Sequence, residues 1–246
     1  MNSFLLQNKS FLLKLKRLFN SVTRIEISKY PSPELDRRIK LIQSNQIDVI
    51  LDVGANIGQY GGEMRNLGFK GQIISFEPMQ EAFTKLAKNA KNDPLWDVYH
   101  SSLGERDGVA VINISKNSVS SSLLNNLPQL TESAPEASFI TQEEIKIAKL
   151  DTLFDSLQLN GKKIYLKIDT QGYEEKVLEG ALNSLSKING IQIEMAFIPS
   201  YEGALTYETI KQKLENFGFK LMAIENGFYD KKTGKQLEVD GIFYKP

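Results

Sequence analysis

Short apolar runs recur along the chain, and most of them are followed by a segment with helical spacing. Four of the runs are typical of short buried strands: "VILDV", "QIISF", "KIYLKI" and "IQIEMAF". Strands that alternate with helices predict a doubly wound α/β sheet. Further strands are predicted at residues 96–104, 108–115, 220–224 and 240–245, and helices at 34–43, 59–67, 79–93, 173–188 and 206–217.

The first 45 residues are predicted to form a helical segment ahead of one domain over residues 46–246. An apolar face opposite lysines and an arginine would suit an anionic membrane surface, but also docking on the same chain or on a second copy in a homo-oligomer. With no apolar run of about 18 residues and no signal peptide, a cytoplasmic location is expected. The apolar face comprises Phe4, Leu5, Phe11, Leu12, Leu15, Leu18 and Phe19, and the basic face Lys9, Lys14, Lys16 and Arg17.

Residues 115–143 interrupt the alternation of strands and helices. They are rich in Ser, Asn, Pro and Thr, and no strand or helix is predicted within them. A loop of this length in a compact domain is typical either of a lid over a site or of disorder. Both interpretations stay open from the sequence.

Composition narrows the chemistry. The 30 basic and 30 acidic residues balance, which argues against a nucleic-acid partner. The chain has no cysteine and one histidine, His100, so thiol catalysis and cysteine- or histidine-rich metal sites are excluded. No metal ligand set is predicted.

Polar residues collect at the predicted strand ends, where ligands of open parallel sheets bind. Buried carboxylates are costly unless a ligand or hydrogen bonds engage them, so these ends predict a site. The residues are Asp52 with the turn of Gly54, Asn56, Gly58 and Tyr60, then Glu77, then His100, Ser101 and Ser102, then Asp169 and Glu194.

The spacing of these residues indicates a nucleoside ligand. Glu77 follows Asp52 by 25 residues, close to the spacing of an acid that holds ribose hydroxyls in dinucleotide folds. The turn, however, reads D-x-G-x-N-x-G rather than G-x-G-x-x-G, and an acid at Asp52 would repel a pyrophosphate. A cationic amino group suits Asp52 better, which points to S-adenosylmethionine.

Six segments then resemble the FkbM-type methyltransferases in order: "LDVGANIGQYG", "SFEP", "SLGERDG", "SVSSSLL", "KLDTLF" and "LKIDTQGYEEKVLEGA". The resemblance covers about residues 47–196. It implies a class I methyltransferase (Rossmann-like) fold with a mostly parallel sheet and an antiparallel C-terminal edge. It also implies methyl transfer from S-adenosylmethionine, usually to a hydroxyl oxygen, here expected on a sugar, glycan or natural product.

The resemblance further implies roles for the strand-end residues. Glu77 would hold the ribose, Ser101 and Ser102 would border the adenine, and Asp169 would face the acceptor. Glu194 could share or replace the role of Asp169 as base, with His100 a third candidate, and Asp169 could instead only cap the next helix. The methionine part would be lined by Asp52, Gly54, Asn56 and Gly58, with Tyr60 beside them, although Asn56 and Tyr60 could serve the turn alone.

Two other functions stay open. Tyr207 and Lys211 have the Y-x-x-x-K spacing of nicotinamide-dependent reductases, although the dinucleotide glycine pattern is missing. A non-catalytic adenosine-binding module would retain the same turn without performing chemistry.

Overall fold

The computed structural model describes residues 3–24 and 30–246, with side chains from residue 11 onward. These residues form two compact units, Met1–Arg38 and Ile39–Pro246. The predicted boundary between residues 45 and 46 stays a prediction. Within the described residues, no helix has both the length and the apolar character that a bilayer crossing requires.

Eight α-helices and ten strands are found in the described residues. The helices are α1 Ser3–Thr23, α2 Pro33–Ser44, α3 Gln59–Asn66, α4 Gln80–Ala90, α5 Pro128–Ser133, α6 Leu150–Leu153, α7 Glu174–Glu179 and α8 Tyr207–Asn216. The strands are β1 Val49–Val53, β2 Gln72–Phe76, β3 Trp96–Tyr99, β4 Ser102–Leu103, β5 Gly108–Ser115, β6 Phe139–Ala148, β7 Ile164–Ile168, β8 Ile188–Ala196, β9 Lys220–Asn226 and β10 Glu238–Tyr244.

Seven strands form the central sheet in the order β3-β2-β1-β7-β8-β10-β9. The five neighbouring strands β3, β2, β1, β7 and β8 pair in parallel, whereas β10 runs antiparallel to both β8 and β9. The predicted α/β fold with an antiparallel C-terminal edge is therefore confirmed. The strand order reverses between β1 and β7, so the crevice beyond their carboxyl ends is the expected ligand position.

The two faces of β1 enter different cores because successive side chains of a strand point to opposite faces. Val49, Leu51 and Val53 pack with the apolar residues of α6, α7 and α8. Ile50 packs on the other face, with α3, α4 and the last turns of α2. Coverage on both faces explains why this strand is apolar along most of its length.

The polar segment 115–143 contains regular structure that the sequence pattern missed. It includes α5, a 3-10 turn at Pro135–Ala137 and the first half of β6. The prediction that this segment contains no strand or helix is therefore wrong. Strand β6 pairs with β5 in a small second sheet, where one face is exposed, so its polar residues are compatible with a strand.

Two predicted elements are shorter than expected. The strand predicted at 96–104 divides into β3 and β4, which belong to different sheets. The helix predicted at 173–188 ends at Glu179, because the Asp151 carboxylate accepts the backbone N–H groups of Asn183 and Ser184 at 3.0 and 2.8 Å. Those bonds replace the hydrogen bonds that would continue the helix.

Candidate active site

The glycine turn after β1 lies directly against the end of β7. Gly54 has φ +78°, and a Cβ atom added there would lie 1.8 Å from the backbone oxygen of Asp169. The glycine is therefore required by a backbone contact between the two strand ends that form the crevice.

We expect Gly54→Ala to lower the free energy of unfolding by more than about 2 kcal/mol, because the added Cβ must displace backbone and adopt a strained φ. Gly62→Ala is the matched control, since a Cβ on Gly62 meets nothing within 4 Å. This control should be neutral or stabilising by up to about 1 kcal/mol in a helix. Urea unfolding of both variants measures the difference, and equal stabilities would contradict the expectation.

Asn56 and Gly58 shape the turn. Asn56 has φ +47°, and its Oδ1 atom accepts the N–H of Ile57 at 2.9 Å. Gly58 begins α3 with φ +91°, and a Cβ there would lie 2.9 Å from Leu86. Both residues thus have structural reasons to be present, and direct contact of either with a cofactor stays a prediction.

Glu77 follows β2 and lies under the same turn. Only 2% of its surface is exposed, and its two carboxylate oxygens accept the backbone N–H groups of Asn56 and Met79, each at 2.8 Å. Burial raises the pKa of Glu77 to about 7, although the two N–H donors partly offset this. A carboxylate has about four acceptor positions, so this one retains capacity for ribose hydroxyls.

Asp52 is fully buried, and a positive charge of the protein itself compensates its negative charge. The ammonium of Lys167, on the neighbouring strand β7, lies 3.2 Å from its Oδ1 atom, and Ser75 donates to its Oδ2 atom at 3.3 Å. The cation facing this acid in the structure is therefore a lysine, which sequence reasoning missed. Contact of Asp52 with the methionine part of a cofactor stays a prediction.

Lys167 connects the turn with the end of its own strand. Its ammonium lies 3.3 Å from the backbone oxygen of Gly54 and 3.5 Å from a carboxylate oxygen of Asp169. Burial opposes the charge of Lys167, yet the carboxylates of Asp52 and Asp169 raise its pKa above the ordinary value. Only the register of β7 against β1 brings these residues together.

Tyr60 faces the sheet from the first turn of α3. Its hydroxyl donates to Gln192 on β8 at 2.9 Å, and its ring lies 5.5 Å from the Lys167 ammonium. The hydroxyl of Tyr60 thus connects the start of α3 to the central sheet. Its predicted contact with a cofactor is untested.

Asp169 and Glu194 lie together at the ends of β7 and β8. The Gln171 amide nitrogen donates to a carboxylate oxygen of each, at 2.9 Å in both cases. The Tyr201 hydroxyl donates to the Gln171 oxygen at 2.9 Å. Gln171 and Tyr201 were missed from the sequence, and the nearest signal was the position of Gln171 in "DTQGYE".

The turn after Asp169 is capped by another acid. Glu174 accepts the backbone N–H groups of Thr170 and Gly172 at 2.8 and 3.2 Å. The alternative that Asp169 only caps the following helix therefore lacks a hydrogen bond to support it. The Asp169 side chain is 39% exposed.

Several neighbouring acids share this edge of the sheet. Burial raises the pKa of Glu174 to about 7, and the charge of Asp169 adds to the shift. Burial together with the charges of Asp169 and Glu238 raises the pKa of Glu194 well above its ordinary value. Burial therefore favours the protonated forms of Glu174 and Glu194.

Stability should fall as the pH of the ligand-free protein rises from about 5 to about 7. Glu77 and Glu174 have folded pKa values near 7, above their ordinary value of 4.5, so in this window the folded state binds more protons than the unfolded state. Each carboxyl then accounts for up to about 3 kcal/mol of the loss.

Urea unfolding across this pH range measures the effect, and Glu174→Gln should make the profile shallower. Glu81→Gln is the control. Lys85 lowers the pKa of this exposed acid, so Glu81 changes the pH dependence of stability only below pH 4.5. A profile that rises with pH, or one that Glu174→Gln leaves unchanged, would contradict the assignment.

Residues 115–143 are attached to this end of the sheet. The Ser122 hydroxyl donates to the backbone oxygen of Gln171 at 2.7 Å, and the Tyr201 hydroxyl also contacts the oxygen of Ser120 at 3.2 Å. Gln129 donates to the oxygen of Pro199. These contacts favour an ordered segment over disorder, and closure of the segment over an acceptor stays a prediction.

The remaining predicted residues lie beyond the end of β3 and in β4. His100 is exposed and stacks on Phe83 of α4 with ring centroids 4.5 Å apart. It follows β3, three strands from β7 and thus roughly 14 Å away at the usual strand spacing. Ser102 is buried in β4 and Ser101 is half-buried before it, and their border with an adenine is untested.

Two further points bear on alternative chemistry. Lys211 pairs with Glu215 at 2.6 Å along α8, and the Tyr207 ring packs against Phe197, 5.3 Å between ring centroids. In the described part of the chain, no group of three or more His, Asp or Glu residues is arranged to hold a metal ion.

The donor set at the crevice fits S-adenosylmethionine. The strand order reverses at the adjoining ends of β1 and β7, where ligands of such sheets bind, and Glu77 supplies a buried carboxylate at one side. The strand order and this site define a Rossmann-like fold of the class I methyltransferase type.

The chain belongs to the methyltransferase FkbM domain family, whose pattern matches residues 52–221. It is 25% identical over 158 residues to the hexuronic acid methyltransferase AglP of Haloferax volcanii, covering 64% of this chain and 60% of that protein. The chain thus spans less than two thirds of that relative.

Solved structures of similar proteins have low sequence identity to this chain. A methyltransferase dependent on S-adenosylmethionine from Clostridium acetobutylicum is 10% identical, with 95% and 98% of the two chains covered and a TM-score of 0.46. The methyltransferase domain of the bacterial protein CtHen1-C is 9% identical, with 86% and 96% covered and a TM-score of 0.46. The fold assignment rests on strand order and family membership.

Proposed function

We propose that the protein transfers a methyl group from S-adenosylmethionine to a hydroxyl oxygen of a sugar, within a glycan, a glycolipid or a natural product. The observation that carries the proposal is the juxtaposition of two groups at the carboxyl ends of strands in one sheet. Glu77 lies beside the glycine turn, and the Asp169–Gln171–Glu194 cluster lies on the neighbouring strands. One group suits a nucleoside and the other suits an acceptor hydroxyl.

Glu77 would hold the ribose hydroxyls through its remaining acceptor positions, and the turn of Gly54 would follow the methionine part. When bound, S-adenosylmethionine would supply an electrophilic methyl group, and its methyl–sulfur bond would break to leave S-adenosylhomocysteine. Asp169 would orient the acceptor hydroxyl and take its proton as the oxygen attacks that methyl group. Gln171 donates a hydrogen bond to both Asp169 and Glu194 and so restricts their side chains. Carboxylates in fixed positions would in turn orient the hydroxyl that receives the methyl group.

The chemistry of the cluster supports a sugar acceptor. Carboxylate oxygens accept hydrogen bonds from hydroxyls, and Asp169 and Glu194 each have a second carboxylate oxygen besides the one that accepts from Gln171. The relative AglP is described as acting on a hexuronic acid. A further carboxylate would add negative charge beside these acids, so a neutral sugar suits this chain better.

Calorimetry with S-adenosylmethionine, its demethylated product and NAD tests cofactor identity. We expect the first two to bind and NAD to give no signal. Glu77→Gln should weaken binding by about 1–3 kcal/mol, the scale for a hydrogen bond to a charged group. Glu81→Gln, an exposed acid on α4, is the matched control and should bind normally.

Transfer of labelled methyl groups to neutral and uronic oligosaccharides then tests the acceptor. Labelling of neutral sugars in preference to uronic acids is the expected result. NAD binding without S-adenosylmethionine binding would replace the proposal with a reductase. Cofactor binding with no transfer to any sugar or extract component would favour a non-catalytic module.

A further inference from the structure

Helix α1 exposes a continuous apolar stripe. The side chains of residues 11–24 are all exposed or half-exposed, and none is buried. Phe11, Leu15, Leu18 and Val22 recur at helical spacing on one side, with Leu18 63% and Val22 75% exposed. Leu12 and Phe19 widen the stripe, whereas Leu13 departs from it.

The rest of the α1 surface is basic. Lys14, Lys16 and Arg17 lie outside the stripe, and the helix contains no Asp or Glu anywhere in its sequence "SFLLQNKSFLLKLKRLFNSVT". Basic residues at the edges of an apolar stripe can extend their long side chains toward lipid head groups while the stripe enters the acyl boundary. The pattern combines apolar area with a single sign of charge.

We propose that α1 lies in the interface of a bilayer that contains anionic phospholipids, with the stripe of Phe11, Leu15, Leu18 and Val22 facing the acyl chains. A second copy of the same helix is a poorer partner, because it would bring the same positive charges to the contact. An anionic lipid surface supplies both an apolar layer and the opposite charge. The proposal does not depend on the identity of the methyl acceptor.

Co-sedimentation of the full chain with vesicles tests the proposal. We expect binding to vesicles of phosphatidylcholine with phosphatidylglycerol, weaker binding at high salt, and little binding to phosphatidylcholine alone. Phe11→Ser/Leu18→Ser/Phe19→Ser should reduce partitioning at least about a hundredfold by removing apolar contact. Lys14→Gln/Arg17→Gln should reduce it about 25-fold, at about fivefold for each charge.

The matched control replaces three equally exposed apolar residues of the small sheet. Val109, Val111 and Ile140 are 51–64% exposed, so Val109→Ser/Val111→Ser/Ile140→Ser removes similar apolar surface and should keep vesicle binding. Equal loss in this control would overturn the proposal, as would absent binding to the anionic vesicles.

Light scattering without lipid tests whether a second copy of the chain, rather than a bilayer, covers the apolar stripe. A wild-type oligomer that becomes monomeric in the Phe11/Leu18/Phe19 variant, with no vesicle binding by either protein, would assign the stripe to a contact between copies and overturn the proposal. Cofactor calorimetry on the same variants should be unchanged, which shows that the domain is folded.

Discussion

Asp169→Asn is expected to lower turnover by about 10²–10⁴-fold while the fold and the cofactor affinity are retained. An amide cannot take the proton of an acceptor hydroxyl, which must be withdrawn as the oxygen attacks carbon. The Asp169 side chain is partly exposed, and its amide replacement can still accept the Gln171 hydrogen bond. Turnover with saturating cofactor and acceptor, together with calorimetry, measures the separation of chemistry from binding.

Two companion variants show which carboxylate acts. Glu194→Gln should cost less than Asp169→Asn if Asp169 is the base, because Glu194 would then only accept hydrogen bonds. His100→Asn is the control, since that ring stacks on Phe83 and lies strands away from the cluster. Near-normal turnover in Asp169→Asn with an inactive Glu194→Gln would transfer the role to Glu194.

Lys167→Met is expected to lower the free energy of unfolding by about 3–5 kcal/mol, the scale for removing one partner of a buried ion pair. The change leaves the fully buried Asp52 carboxylate without its counterion. Within the described residues, the Oδ1 atom of Asp52 has no hydrogen-bond donor besides the ammonium 3.2 Å away. Urea unfolding near neutral pH measures the loss.

A second substitution separates the charge from the packing of the lysine stem. Asp52→Asn in the Lys167→Met background removes the orphaned charge and should recover part of the lost stability. Lys85→Met is the control, because its ion pair with Glu81 is exposed and should contribute less than about 1 kcal/mol. A loss below that value for Lys167→Met would show that the buried pair is not a net stabilising unit.

The sequence pattern predicted the parallel sheet because buried parallel strands require continuous apolar residues. It missed β6 because a strand with one exposed face tolerates "TQEE", which by composition resembles a loop. It predicted α7 too long because helical spacing continues past Gly180. The Asp151 hydrogen bonds that end the helical path come from 32 and 33 residues away, beyond the reach of any local pattern.

The same distinction applies to the site. The sequence determined which acids lie at the strand ends, since Glu77 and Asp169 directly follow apolar runs and Asp52 is the last residue but one of another. Only the tertiary structure decided what those acids face. The register of β7 on β1 sets Lys167 against Asp52, and the turn beyond Asp169 brings Gln171 to Glu194. Such pairings depend on strand order and register, which are fixed by packing between distant segments and not by local residue preference.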